Sequence, residues 1–138
     1  MHPFIKSLLL IATTFSMVEP GTASVAESLE TAQTQFVETN GVKFSYRVLG
    51  PKTGTPLVFL QHFTGNMDAW DPAVVNAFAK TRPVVVFNNR GVGATNGVVA
   101  DSVGQMSTDA YAFIQALGYK KVDLLGFSLG GFVAQEMA

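Results

Sequence analysis

One short segment of the sequence combines residue types that can perform nucleophilic chemistry. Gly126-Phe127-Ser128-Leu129-Gly130-Gly131 places a serine between two glycines, directly after the apolar run at residues 122–125 and before a helical pattern. A sharp turn from strand to helix strains the backbone of its middle residue, and the flanking glycines make room for that close approach. The turn presents the Ser128 hydroxyl above the sheet edge, beside helix N–H groups that favour developing negative charge. The segment therefore predicts a serine nucleophile at position 128.

The elements that must position this serine alternate between strands and helices. Runs that are apolar at nearly every position predict strands buried on both faces; they are residues 57–60, 84–87 and 122–125. Helical patterns lie between them at residues 73–80 and from Asp101 or Ser102 to Gly118, with Met106 and Phe113 on the core side. Alternation of this kind predicts an α/β fold with a mostly parallel sheet and flanking helices.

A hairpin precedes the parallel part of the sheet. Residues 36–39 and 42–49 flank Asn40-Gly41, which is the commonest short hairpin turn. In the second run, apolar side chains alternate with polar ones, which predicts an antiparallel pair with one solvent-exposed face. Trp70 is interpreted as a packing residue, because aromatic side chains mostly fill cores.

Length and composition limit the possible functions. The 138 residues are enough for one domain, and 48% hydrophobic against 14% charged residues provide ample material for a core. The net charge is -1 without a block of like charges, which argues against a nucleic-acid partner. The chain has no cysteine and only two histidines, His2 and His62, so we expect no disulfide, no metal site and no cofactor.

The first 26 residues have the pattern of a secretory signal peptide. A basic start is followed by an uncharged stretch at residues 7–18 and by small residues around Ala26. The apolar centre is shorter than the roughly 20 residues that a bilayer span needs, so no stable membrane span is expected after cleavage. We therefore predict export to the periplasm or the medium, a flexible lead-in at residues 27–35, and the N-terminal part of a domain at residues 36–138.

Three segments together resemble the α/β-hydrolase family. Residues 126–131 look like its nucleophile elbow, Leu60-Gln61-His62-Phe63-Thr64-Gly65 stands where the family shows His-Gly-Phe-x-Gly, and residues 88–93 are similar to its Asp-x-Arg-Gly-x-Gly loop. The resemblance implies that Ser128 attacks a small-molecule acyl substrate. It also implies that the backbone N–H groups of Phe63 and Leu129 form an oxyanion hole, with Gly126 and Gly130 as the elbow glycines. The expected architecture is a partial hydrolase fold that stops after the elbow, in the esterase and haloperoxidase branch.

Two departures from the family pattern bear on the site. Gln61-His62 replaces His-Gly, which puts the geometry of the oxyanion loop in question, and Asn88 replaces an aspartate that could have paired with Arg90. His62 is the one histidine of the predicted domain that could act as general base. However, the family places its base far beyond the nucleophile, so a structural or loop-positioning role for His62 is favoured.

The sequence leaves three functions open. No histidine follows Ser128, and Glu136 is the one acidic residue after it, so a Ser–acid–His triad is not completed within these residues. We expect the front part of a serine hydrolase that cleaves ester or related acyl bonds and is inactive alone. The alternatives are a cofactor-free perhydrolase of the haloperoxidase type and a non-catalytic binding protein on the same fold.

Overall fold

Strands and helices alternate along the chain as the sequence predicts. The computed structural model of the protein describes residues 27–138. The strands are β1 Gln35–Thr39, β2 Val42–Leu49, β3 Leu57–Leu60, β4 Val84–Phe87 and β5 Asp123–Gly126. The α-helices are α1 Pro72–Ala79, α2 Val103–Ala116 and α3 Leu129–Met137, and a short 3₁₀ helix covers Met67–Ala69. The predicted α/β fold class is confirmed. The predicted signal peptide, residues 1–26, lies outside the described residues, and export stays a prediction.

The five strands form one mixed sheet in the order β1-β2-β4-β3-β5. The β1–β2 and β2–β4 pairs are antiparallel, whereas β3 pairs in parallel with both β4 and β5. In the last pair, Leu60 lies opposite Gly126. The segments that follow β3 and β5 therefore leave the sheet side by side, at its carboxyl edge.

Local signals fix the turns and the helix starts. Asn40 and Gly41 both have positive φ, as a two-residue hairpin turn requires. The Asp71 side chain accepts a hydrogen bond from the Ala73 N–H at the start of α1, and Ser102 accepts one from the Gln105 N–H at the start of α2. These bonds satisfy helix N–H groups that would otherwise lack a partner, which explains why the helices begin there.

Each face of the sheet carries its own hydrophobic core. On one face, α2 and α3 pack over the sheet, with a buried cluster that includes Phe44, Phe87 and Phe113. The Phe87 and Phe113 rings are stacked with their centroids 4.4 Å apart. On the other face, α1 covers a cluster that includes Phe59 and Val75, with Trp70 packed against it as predicted. The sheet is thus the middle layer of three.

The structure corrects three details of the sequence prediction. Residues 27–35 do not form an unattached lead-in, because Leu29 and Ala32 are buried in the α1-side core and the Leu29 N–H donates to Asn76 Oδ1 at 2.8 Å. The β2 face expected to be solvated is partly covered, since Ser45 is fully buried. The third apolar run begins one residue later than predicted and is only half-buried, because β5 lies at the edge of the described sheet.

Candidate active site

Ser128, the predicted nucleophile, lies in the short turn between β5 and α3. Only Phe127 and Ser128 separate the end of β5 from the start of α3. Ser128 has φ 53° and ψ −118°, a conformation that L-residues adopt only when the surrounding structure enforces it. Its side chain makes no capping bond to α3, and the residue is exposed. The predicted strand–turn–helix geometry is therefore present, with the hydroxyl free for chemistry.

Close backbone contact explains the two glycines on either side of this turn. A Cβ atom at Gly130 would lie 1.9 Å from the Leu60 carbonyl oxygen, and one at Gly126 would lie 2.3 Å from the Gly130 carbonyl oxygen. At Gly131 the nearest atom would be 3.7 Å away, an ordinary contact. Gly126 and Gly130 are therefore required for the first turn of α3 to approach the sheet, whereas Gly131 is not.

The two predicted oxyanion donors are among the backbone N–H groups near the turn that have no partner. Within residues 27–138, neither the Phe63 nor the Leu129 N–H donates a hydrogen bond. Phe63 and Leu129 line the same cavity of about 260 Å³, which also contacts Val103 and Met106 of α2. The Leu129 N–H is the first of α3, where the helix end favours negative charge. The structure therefore brings together the two residues predicted as oxyanion donors.

His62 forms no hydrogen bond with Ser128. Its Nδ1 lies 3.3 Å from the Thr64 hydroxyl oxygen, and its ring packs edge-on against Phe127 with the centroids 5.5 Å apart. Among residues 27–138, no side chain forms a hydrogen bond with the Ser128 hydroxyl. His62 therefore packs beside the turn, and its structural or loop-positioning role stays a prediction.

Asn88, which stands where the family has an aspartate, forms hydrogen bonds with both of its neighbours at the loop after β4. The Asn88 side chain accepts from the Met67 N–H at 2.7 Å and donates to Ser45 Oγ at 2.9 Å. Thr95 Oγ1 accepts from the Ser45 N–H and donates to the Asn88 carbonyl oxygen, both at 2.9 Å. An amide can donate and accept at once, so it satisfies both neighbours where a carboxylate would only accept.

Sequence reasoning missed the partner of Arg90. The Arg90 guanidinium is paired with Asp109 of α2, which also accepts from Gln105 Nε2 at 3.0 Å. Asp109 is only 7% exposed, and both residues line the cavity beside Phe63 and Leu129. The signal was available, because Asp109 falls three residues after Met106 and four before Phe113, on the buried side of the helix.

Large apolar side chains surround the mouth of the site. Phe63 and Phe127 are 81% and 57% exposed, and Trp70 packs edge-on between Phe59 and Phe127. The surface around Ser128 is thus apolar and suited to contact with an organic molecule. None of the helices within residues 27–138 is long and apolar enough to cross a membrane.

Comparison with known proteins agrees with this geometry. BpoC of Mycobacterium tuberculosis, named as a candidate non-heme bromoperoxidase, is 36% identical over 86 residues, 62% of this chain and 33% of its own length. The 3-oxoadipate enol-lactonase 1 of Acinetobacter baylyi is 26% identical over 94 residues, 68% of this chain and 35% of its own. An α/β hydrolase fold protein from Chitinophaga pinensis superimposes with a TM-score of 0.79 at 47% identity, over 81% of this chain and 41% of that structure.

The chain spans about a third of the length of these curated relatives. The sequence model of the family described as "alpha/beta hydrolase fold" matches residues 55–138, which is more than half of the chain. This segment includes β3, the loop after it, the Ser128 turn and α3. The chain therefore belongs to the α/β hydrolase fold family.

Proposed function

We propose that this chain provides the nucleophile and the oxyanion-stabilising half of a serine hydrolase that cleaves ester or related acyl bonds. The observation that carries the proposal is the strained, exposed Ser128 beside two unpartnered N–H groups, those of Phe63 and Leu129. Positive φ at a non-glycine residue costs about 1–3 kcal/mol and is retained where function needs it. The lactonase named among the relatives supports an acyl compound as substrate, since a lactone is a cyclic ester.

The reaction follows from the positions of these groups. The Ser128 oxygen attacks the acyl carbonyl carbon and forms a tetrahedral intermediate, whose negative oxygen accepts hydrogen bonds from the Phe63 and Leu129 N–H groups. The Ser128 proton passes to a general base and from there to the leaving oxygen, so that collapse of the intermediate releases the alcohol and leaves an acyl-serine. Water, giving a proton to the same base, then attacks the acyl-serine; the base returns the proton to the Ser128 oxygen, which frees the acid and restores the hydroxyl. Loss of one oxyanion donor costs roughly a hundredfold to a thousandfold in kcat in comparable sites.

The proton acceptor for Ser128 belongs, in this proposal, to polypeptide beyond residues 27–138. His62 bonds to Thr64 and packs against Phe127, and it forms no hydrogen bond with the serine. A serine hydroxyl without an adjacent base is a weak nucleophile. Residues 27–138 alone are therefore expected to hydrolyse no simple ester.

A fusion protein tests the proposal. The chain is joined after Ala138 to the part of the Chitinophaga pinensis protein that follows its matched region, which supplies the remainder of the fold from a relative 47% identical. We expect the fusion to hydrolyse p-nitrophenyl acetate and to react with a fluorophosphonate probe, and Ser128→Ala to abolish both. Ser28→Ala, which removes a half-buried hydroxyl that bonds to Thr31 in the segment before β1, is the matched control.

Two results would contradict the proposal. A folded fusion that neither turns over the ester nor takes up the probe would remove the nucleophilic role of Ser128. Turnover by the unfused chain that depends on Ser128 would instead show that the base lies within it, and His62→Gln would then identify or exclude His62.

A perhydrolase is the second candidate, and the bromoperoxidase name of BpoC favours it. The same acyl-serine would react with hydrogen peroxide instead of water and release a peracid, which oxidises bromide. Peroxide- and acetate-dependent bromination of monochlorodimedone by the fusion separates this candidate from a simple esterase. Ester hydrolysis without bromination would exclude it.

A further inference from the structure

Gln61 is a buried polar residue directly after β3 whose side chain is hydrogen bonded through both its nitrogen and its oxygen. It is 2% exposed. Its Nε2 donates to the Asn66 carbonyl oxygen at 2.6 Å, and its Oε1 accepts from the His62 N–H at 2.9 Å. One carboxamide thus connects the two ends of the loop at residues 61–66, which contains Phe63.

The loop wraps around this carboxamide without spare room. A Cβ atom at Gly65 would lie 2.5 Å from the Gln61 Cδ, so a glycine is needed where the loop passes over the side chain. The Gly65 N–H donates to the His62 carbonyl oxygen at 3.2 Å, which closes the turn from the other side. The shape of the loop is therefore set by Gln61 from within.

This arrangement uses two of the N–H groups of the loop and leaves others free. The N–H groups of His62 and Gly65 donate inside the loop, whereas those of Phe63, Thr64 and Asn66 have no partner among residues 27–138. We propose that Gln61 is a positioning residue, which holds the loop so that the Phe63 N–H stays available to a negative oxygen at Ser128. The inference rests on the proposed function for the role of Phe63, but the role of Gln61 in shaping the loop does not.

The chemistry of the side chain explains why glutamine suits this place. The loop needs an acceptor for the His62 N–H and a donor for the Asn66 carbonyl oxygen. A carboxamide offers both, an ionised carboxylate only accepts, and a protonated carboxylic acid again offers both. Methionine fills a similar volume but supplies neither strong donor nor strong acceptor.

Two variants of Gln61 therefore separate hydrogen bonding from packing. In Gln61→Met we expect the amide protection factors of both His62 and Gly65 to fall at least tenfold, measured by NMR hydrogen exchange on the chain. In Gln61→Glu at pH 8 the His62 N–H keeps its acceptor, while Gly65 loses protection because the carboxylate repels the Asn66 carbonyl oxygen.

Lowering the pH should restore the loop of Gln61→Glu. Burial raises the pKa of a carboxyl group above its usual value near 4.3, so a proton, and with it a donor, returns as the pH falls toward 5. The wild-type chain measured over the same pH range removes every contribution that does not come from residue 61. Gln115→Glu, the same change at an exposed position on α2, is the matched control.

Activity of the fusion protein then tests the positioning role. We expect Gln61→Met to lower kcat at least tenfold with KM within twofold, because the lost contact acts on the transition state rather than on substrate binding. Gln61→Glu should recover kcat relative to wild type as the pH falls. Unchanged protection at His62 and Gly65 in Gln61→Met would overturn the inference, as would lost protection with unchanged kcat. An inactive wild-type fusion would count against the proposed function alone, because hydrogen exchange still decides whether Gln61 shapes the loop.

Discussion

Substitution of Gly130 by alanine is expected to be far more damaging than the same change one residue later. At Gly130 the new Cβ would lie 1.9 Å from the Leu60 carbonyl oxygen and 2.4 Å from its carbon, both backbone atoms of β3. The first turn of α3 must then move about 1 Å away from the sheet, because protein interiors are close-packed. That movement also strains the bond from the Phe127 N–H to the Leu60 oxygen, now 3.1 Å long.

The size of the effect follows from opposing terms. Alanine favours a helix over glycine by about 1 kcal/mol, and this gain is shared by all three glycine sites that we compare. Overpacking against backbone costs about 3 kcal/mol or more. We therefore expect Gly130→Ala to lower the free energy of unfolding by at least about 2 kcal/mol, a large part of the 5–15 kcal/mol typical of a domain.

Urea unfolding followed by circular dichroism at 25 °C measures the difference, with two matched controls. In Gly131→Ala the nearest atom would lie 3.7 Å from the new Cβ, and in Gly104→Ala, in α2, no atom would lie within 4 Å of it. Both controls should be neutral or stabilising by up to about 1 kcal/mol. If Gly130→Ala and Gly131→Ala unfold at the same urea concentration, the close approach of α3 to β3 is refuted.

Three further predictions concern single side chains. Ser128→Gly should raise the free energy of unfolding by about 1 kcal/mol in urea titrations, because glycine accepts the positive φ. Fluorophosphonate labelling of the fusion should be lost in the same variant. A variant less stable than the wild type would contradict backbone strain at Ser128. Asn88→Ala should cost about 3 kcal/mol by the same titration, because the buried Met67 N–H loses its acceptor and the Ser45 hydroxyl oxygen, still bonded to Thr95, loses its donor. A cost below about 1 kcal/mol would show that the network is dispensable. The pKa of Tyr119 lies above its usual 10.0, mainly because of burial and to a smaller extent because of the nearby Tyr46. The neutral form of Tyr119 is therefore favoured in the folded state. The free energy of unfolding should then fall as the pH rises past 10. In unfolding curves at pH 9 and 11, Tyr119→Phe should show a smaller fall than the wild type. An identical pH dependence in both proteins would exclude Tyr119 as the cause.

Features that depend on neighbouring residues along the chain were predictable from the sequence. The Asn40-Gly41 turn, the Ser102 cap and the glycine-bounded turn at Ser128 each need only a few consecutive residues, and all three appear as expected. The parallel pairing of β3 with β4 and β5 also follows, because helices separate these strands in sequence.

Features that depend on distant partners were not predictable. Leu29 is one apolar residue in a polar stretch, and only the folded chain shows that Asn76 of α1 binds its N–H. The Gln61-His62 and Asn88 replacements read as losses against the family pattern. The structure shows instead that Gln61 and Asn88 each use donor and acceptor together, on partners that a linear pattern does not reveal.

The relative position of the nucleophile and the oxyanion loop depends on backbone atoms rather than on their side chains. The Leu60 carbonyl oxygen accepts from the Phe127 N–H, and Gly130 packs directly against the same oxygen. Leu60 is also the last residue before the loop that Gln61 shapes, so one peptide group connects the two halves of the site. Because β3 and β5 are paired at this level, a shift of either strand would move Ser128 relative to Phe63. The strain at Ser128 is therefore maintained by the sheet itself, which explains why such a turn persists at the meeting point of two buried layers.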